Sequence, residues 1–242
     1  MTLTGIFGIR LKSERFTKDN MNFAAFKYKS PNFTKLKTYG FEQIGDIYSF
    51  STNIFDGQFQ MTVQIAHDGS VKADVLDIAL GEPYTLHLVE EASGAFVGRV
   101  RSEFEAVLKS IADNCFERDV FKEPCAKAVI KYVTDTYGDE LEFLWDKTPD
   151  GAIWRRKDNR KWYAVMMIIS KRKLGLDSDE QTSVIDLRLD TVNDVNLVDG
   201  KSFFKGYHMN KRTWFTVCLD GSVPIDDICK MIDKSYILAK KK

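Results

Sequence analysis

Residues 47–78 read IYSFSTNIFDGQFQMTVQIAHDGSVKADVLDI, and this stretch decides the architecture of the first half of the chain. Ile47 to Ile54, Phe59 to Ile65 and Val71 to Ile78 are runs of strand length. Asp56-Gly57 and His67-Asp68-Gly69 stand between them, the residue types that hairpin turns favour. Strands joined by connections this short pair antiparallel, because a parallel crossover needs a dozen or more residues. Gly81-Glu82-Pro83 then leads to a fourth strand, Tyr84 to Val89, so the expectation from Asp46 to Glu90 is an antiparallel meander.

Downstream the period changes. Val97, Val100, Phe104, Val107, Leu108, Ile111 and Cys115 recur at steps of three or four, one apolar stripe on a helix opened by Ser93-Gly94 that should lie on the meander. The pattern breaks at Phe116 to Pro124, which puts a domain boundary near Glu117 and gives two domains, 1–116 and 117–242. Cys125, Val129, Tyr132, Val133 and Thr136 then form a second helical stripe between Pro124, suited to a first turn, and Gly138, suited to a C-terminal stop. Leu141 to Trp145, Ala152 to Arg156, Lys161 to Ile169, Val184 to Leu189 and Trp214 to Leu219 read as strands. A closing helix runs from Pro224 to about Leu238, with Asp226 and Asp227 in the first turn, where the helix dipole favours negative charge. Each half is therefore an antiparallel sheet packed with helices, an α+β class.

The 242 residues carry 35 Lys plus Arg against 35 Asp plus Glu. Zero net charge argues against a strong non-specific polyanion binder, whose affinity comes from many uncompensated cations. The balance conceals segregation along the chain. Residues 1–40 hold 8 basic and 2 acidic side chains, residues 41–100 hold 2 and 9, and residues 151–173 hold 8 and 1. No segment approaches the roughly 20 apolar residues of a membrane helix, and Met1 to Asn20 has no signal-peptide core, so no membrane association and a cytoplasmic location are expected. Cys115, Cys125, Cys218 and Cys229 lack a CxxC spacing and are expected to be free thiols.

Several segments of the second half are more specific: Trp145-Asp146-Lys147-Thr148-Pro149-Asp150, Trp154 to Ala164, Tyr207 to Val217, Leu219-Asp220-Gly221-Ser222-Val223-Pro224, and Ile232-Asp233-Lys234-Ser235-Tyr236. In this order and spacing they resemble the MmcQ/YjbR family over about residues 121–239. The resemblance implies a compact antiparallel α+β domain, described for the family as a double wing that binds DNA and similar in layout to secretion-chaperone-like folds. Where many members carry Lys-Cys-x-Pro after the third strand, this chain has Arg188-Leu189-Asp190-Thr191, so no role of that Cys or Pro carries over. The first half lies outside the resemblance.

A wing is a β-hairpin whose tip reaches a nucleic-acid backbone. Arg155, Arg156, Lys157, Arg160 and Lys161 around a turn at 157–160 suit phosphate contact, and Trp154 or Trp162 suits base stacking. The same residues also fit a hairpin whose charges keep its edge from pairing and whose tryptophans face the core. Lys171, Arg172 and Lys173 extend the patch or form a solvated turn. Lys205, His208, Lys211, Arg212 and Trp214 make a second basic and aromatic group. Two functions follow: DNA binding by these residues, or a protein-interaction adaptor acting as a dimer. No catalytic residue, metal site or cofactor is expected. His67, His87 and His208 stand apart with no HExxH spacing, and the chain has no Walker A, GxSxG or GxGxxG sequence.

Overall fold

A computed structural model describes residues 21–194 and 196–240. The basic block expected over 1–40 therefore lies half outside the described residues. The chain divides into two compact units, the first closing at Arg118 and the second opening at Asp119.

In the first unit β1 (Lys29–Pro31) leads to α1 (Phe33–Tyr39), capped by the Asn32 side chain, which accepts from the Thr34 and Lys35 amides. The meander follows as β2 (Glu42–Ile44), β3 (Ile47–Ile54), β4 (Phe59–Ala66), β5 (Val71–Asp77) and the two-residue β6 (Glu82–Pro83), antiparallel in that order. Phe59, Met61, Val63 and Ile65 alternate inward along β4, as a half-buried strand requires. Across that inner face lies α2 (Ala95–Cys115), which buries Val100, Phe104, Leu108, Ile111, Ala112 and Cys115 in the same core. Phe55 in the first hairpin turn adopts φ +54°, rare for a bulky residue. Its amide donates to the Glu103 carboxylate of α2 at 2.6 Å, which holds the turn on the helix. β7 (Phe116–Arg118) pairs with β1.

One expectation fails here. Tyr84 to Val89 is not a strand: after Glu82–Pro83 the chain leaves the sheet and Leu86–Leu88 form a 3-10 turn. That turn buries His87 and leaves Leu86 and Leu88 exposed, the reverse of their polarity. Three carbonyls hold it there: Arg101 donates from Nε to His87 O (3.0 Å) and from Nη2 to Val89 O (2.7 Å) and Ala92 O (3.1 Å).

The second unit opens with α3 (Pro124–Tyr137), its proline in the first turn and Gly138 at φ +63° ending it. β8 (Gly151–Arg155), β9 (Trp162–Ser170), β10 (Gln181–Arg188), β11 (Phe203–Lys205) and β12 (Trp214–Cys218) form an antiparallel sheet in the order β11-β12-β10-β9-β8. α4 (Ile225–Leu238) packs on β9, β10 and α3. The expected strand Leu141 to Trp145 reduces to one bridge, Glu142 to Ile153, that covers the outer edge of β8. β11 had no counterpart in the periodicity, being only three residues long. Both units mix helix with antiparallel sheet, so the α+β class holds. All four cysteines are unpaired. Among the described residues no helix is long and apolar enough to cross a membrane.

Candidate nucleic-acid interface

The β8–β9 hairpin turns through 157–160, with Arg160 at φ +60° and the Arg160 amide donating to Arg156 O at 3.0 Å. A bulge at its base sets Tyr163 against the helices and Trp162 toward the opposite sheet face, edge-on to Trp145 at 5.8 Å. Trp154, the other stacking candidate, is fully buried.

Most cations expected at this hairpin are occupied inside the fold. Arg156 is 7% exposed: its guanidinium forks onto Asp158 at 2.9 and 2.7 Å, reaches Tyr236 O at 3.0 Å and lies 3.9 Å over the Tyr236 ring. Arg155 pairs with Glu142 at 2.7 Å, and Lys157 donates to Gly138 O at 2.8 Å beside Asp139. Arg160 is mostly exposed, with Glu142 at 3.8 Å, and Lys161 is exposed.

Lys171, Arg172 and Lys173 follow the other end of β9, and nine residues at about 3.3 Å each place that turn roughly 30 Å along the strand from the hairpin turn. Lys171 sits between Glu180 (2.8 Å) and Asp220 (3.1 Å), whose hydrogen bonds hold its ammonium protonated well above the usual lysine range. Arg172 forks onto Asp179 at 2.6 and 2.9 Å. Lys173 instead extends over the ring of Tyr207, 5.9 Å from its centroid.

Tyr207 belongs to a strap, residues 206–213, that the sequence did not single out as a structural unit. Alternation along β10 sends Ser183 toward α3, where it donates to Glu123, and sends Val184 and Asp186 to the other sheet face, where the strap lies. Asp186 fastens the strap. Its buried carboxylate accepts from the Tyr207 amide (3.2 Å) and the Thr216 hydroxyl, and burial pushes its pKa up to about 6 against those hydrogen bonds. Gly206 passes so close to Trp214 that a Cβ there would sit 3.0 Å from the Trp214 Cβ. Tyr207 and Met209 pack with Ile153, Val165, Met167 and Val184 under the strap. Lys211 and Arg212 ride on it, exposed, and neither has an ion partner among the described residues. The pairing Arg188 to Trp214 brings the strap's end to the hairpin end of the sheet, two strands, or about 10 Å, from β9.

The segments that carry the family likeness are mostly structural. Ser235 donates to Tyr163 O (2.5 Å) and accepts from the Arg188 amide (2.8 Å), which locks α4 across the bulge and β10. Asp233 accepts from both Tyr132 (2.7 Å) and Tyr137 (2.5 Å), and burial with this carboxylate pushes the Tyr132 hydroxyl up to about 12. A cleft of about 480 Å³ lies beside α4, over Phe203, Phe215, Val223 and Met231. Two ion pairs line it, Asp194 with Lys234 at 2.5 Å and Asp227 with Lys230 at 2.9 Å, while Arg188 at its edge donates to Trp162 O at 2.6 Å and lies over the Trp214 ring. Among the described residues no three His, Cys, Asp or Glu side chains gather to hold a metal.

The YjbR family model matches residues 134–238. The uncharacterized protein YyaQ of Bacillus subtilis is 31% identical over 112 residues, covering 46% of this chain and 95% of YyaQ. A Pseudomonas syringae protein has been solved as a crystal structure (34% identity, TM-score 0.45, covering 47% of this chain and 97% of that one) and in solution by NMR (34%, 0.44, covering 48% and 93%). A Deinococcus radiodurans crystal structure shares 22% identity at TM-score 0.36, covering 47% of this chain and 77% of that one. With the aligned positions spanning the hairpin, the strap and the Ser235-Tyr236 lock, and nearly the whole of YyaQ covered, the chain belongs to the YjbR family.

Proposed function

We propose that the second unit is a non-catalytic nucleic-acid-binding module that holds backbone phosphates on the sheet face carrying the strap. The observation that supports this is the fastening of residues 206–213 by Asp186 and Thr216. It presents Lys211 and Arg212 without ion partners among the described residues, while Arg155, Arg156, Lys171 and Arg172 are held by carboxylates. Lys173 lies over Tyr207 of the strap, and Arg160, with Glu142 at 3.8 Å, and Lys161 are exposed at the hairpin turn. Cations already paired within the fold release few counterions on binding; unpaired ones supply the electrostatic affinity. The half-buried Tyr207 ring offers a surface for an unpaired base.

With about four phosphate contacts, affinity should fall on the order of 100-fold between 50 and 200 mM salt. Fluorescence anisotropy with labelled duplex and single-stranded DNA tests this. Lys211→Ala/Arg212→Ala should weaken binding about tenfold and reduce the salt slope by about two, while Arg172→Ala leaves both within twofold. Absence of binding at 20 mM salt, or equal losses in the two variants, overturns the assignment.

A further inference from the structure

The outer edge of β5 is open over most of its length. β6 pairs only with Leu76 and Asp77, and the Tyr84 amide adds one bond to Val75 O at 2.8 Å. Beyond that point no strand of the described residues pairs with Val71 to Asp74 on this side. The residues that would continue β6 have the composition of a strand, yet they turn away under α2.

The turn they make is poorly matched to its surroundings. His87 is 2% exposed, and both ring nitrogens are buried without a hydrogen-bond partner, as is the Tyr84 hydroxyl stacked beside it. Buried polar groups are normally satisfied, and each orphan costs on the order of a hydrogen bond. Meanwhile Leu86 is 51% and Leu88 42% exposed.

Extending the register of β6 inverts the placements of Leu86, His87 and Leu88 and keeps Tyr84 on the core side. Leu76 faces Pro83, so Val75 faces Tyr84, Asp74 faces Thr85, Ala73 faces Leu86, Lys72 faces His87 and Val71 faces Leu88. Residues directly opposite in an antiparallel pair share a sheet face. Ala73 and Val75 point into the core and Val71 packs against it, so Tyr84, Leu86 and Leu88 would join them there, and His87 would stand in solvent. Pro83 stays at a position whose nitrogen points away from β5, where an edge strand tolerates proline.

We propose that residues 84–88 are a two-state strap: docked under α2 with His87 buried, or zipped onto the free edge of β5 with Leu86 and Leu88 buried and His87 exposed. The docked state is held by the Arg101 fork on the carbonyls of His87, Val89 and Ala92 and by the contact of His87 with Phe104, ring centroids 4.5 Å apart. A positive charge on residue 87 tips the balance. Arg101 is the charged group that faces it from α2, Tyr84 is the titratable one on its own segment, and burial with Arg101 pushes the imidazole down to about 4.

The test introduces thiols at Ala73→Cys/Leu86→Cys, an opposed pair about 5.5 Å apart at Cα only when zipped, within disulfide reach. Oxidised at pH 8, the pair should cross-link little with His87 present and several-fold more when His87→Lys is added, as read by mass spectrometry. Equal yields in the two backgrounds overturn the proposal. Amide exchange of the unaltered chain provides the second reading, independent of whether His87→Lys folds. The Ala73 amide, corrected for intrinsic rate, should exchange at least tenfold more slowly at pH 4 than at pH 7. Unchanged or faster exchange at pH 4 means that the strap does not zip, and overturns it.

Discussion

The two five-stranded sheets differ in how they meet solvent. In the first unit β4 alternates buried and wetter positions, because helix covers one face and water the other. In the second, β8, β9, β10 and β12 are buried almost continuously: α3 and α4 cover one face and the 206–213 strap covers the other. The contrast extends to the titratable group each core encloses. Asp186 is buried with partners on both oxygens and pins a surface segment. His87 is buried with none on its ring, held by the backbone fork of Arg101. A satisfied buried polar group specifies one conformation; an unsatisfied one leaves a neighbouring conformation within reach.

If that contrast is right, the largest effect should come from Asp186→Leu, which removes the buried carboxylate from the strap and leaves the Tyr207 amide only Thr216 Oγ1 (3.0 Å) and the Thr216 hydroxyl only the Lys205 carbonyl (3.2 Å). A loss of about 3 kcal/mol in denaturant unfolding of the second unit is expected, with fast amide exchange across residues 206–213. Asp186→Asn, which keeps an acceptor, should cost clearly less. Equal costs would show that the carboxylate fastens nothing.

Acid should separate the units next. His87 is held near 4 when folded, against about 6.5 unfolded, so between those values the unfolded chain binds the extra proton and the docked first unit weakens as pH falls, by about 3 kcal/mol. Asp186 has the opposite sign. Its folded value near 6 exceeds the unfolded value near 4, so the folded form binds the proton first and its contribution strengthens as pH falls through that window. Residue-resolved exchange from pH 7 to 4 should show the two trends diverging, and His87→Phe and Asp186→Asn should each flatten one of them.

A smaller change tests the other face of the second sheet. Ser235→Ala removes the hydroxyl shared by the Tyr163 carbonyl and the Arg188 amide, for an expected loss of about 1 to 2 kcal/mol and no change in the salt slope of DNA binding. The smallest effect belongs to Leu86→Asp, exposed in the docked turn: less than about 0.5 kcal/mol at pH 7 by thermal unfolding. A large loss there would place Leu86 in the core already at neutral pH.

Regular elements were legible wherever a period ran long enough. The stripe from Val97 to Cys115 became α2, Pro124 and Gly138 bracketed α3, and the Asp56-Gly57 and His67-Asp68-Gly69 turns joined β3, β4 and β5. Tyr84 to Val89 alternates well enough to read as a strand, but its place in the fold depends on which neighbour covers His87, a contact with Phe104 of α2. The candidate site was legible as chemistry and not as availability. Arg155, Arg156, Lys157, Lys171 and Arg172 are cations in the sequence, but their partners at Glu142, Asp158, Asp139, Asp220 and Asp179 are set by the folded chain.

The amino-acid sequence by itself determined the class, two α+β halves and family membership of the second, because hydrophobic period, turn residues and segment order are local or linear properties. Only the tertiary structure decided which cations remain unpaired, that Lys173 reaches Tyr207 while Lys171 and Arg172 do not join the hairpin, and that His87 lies inside while Leu86 lies outside. Those outcomes rest on competition between distant partners for the same side chain, and that competition is settled only when the sheets and helices pack.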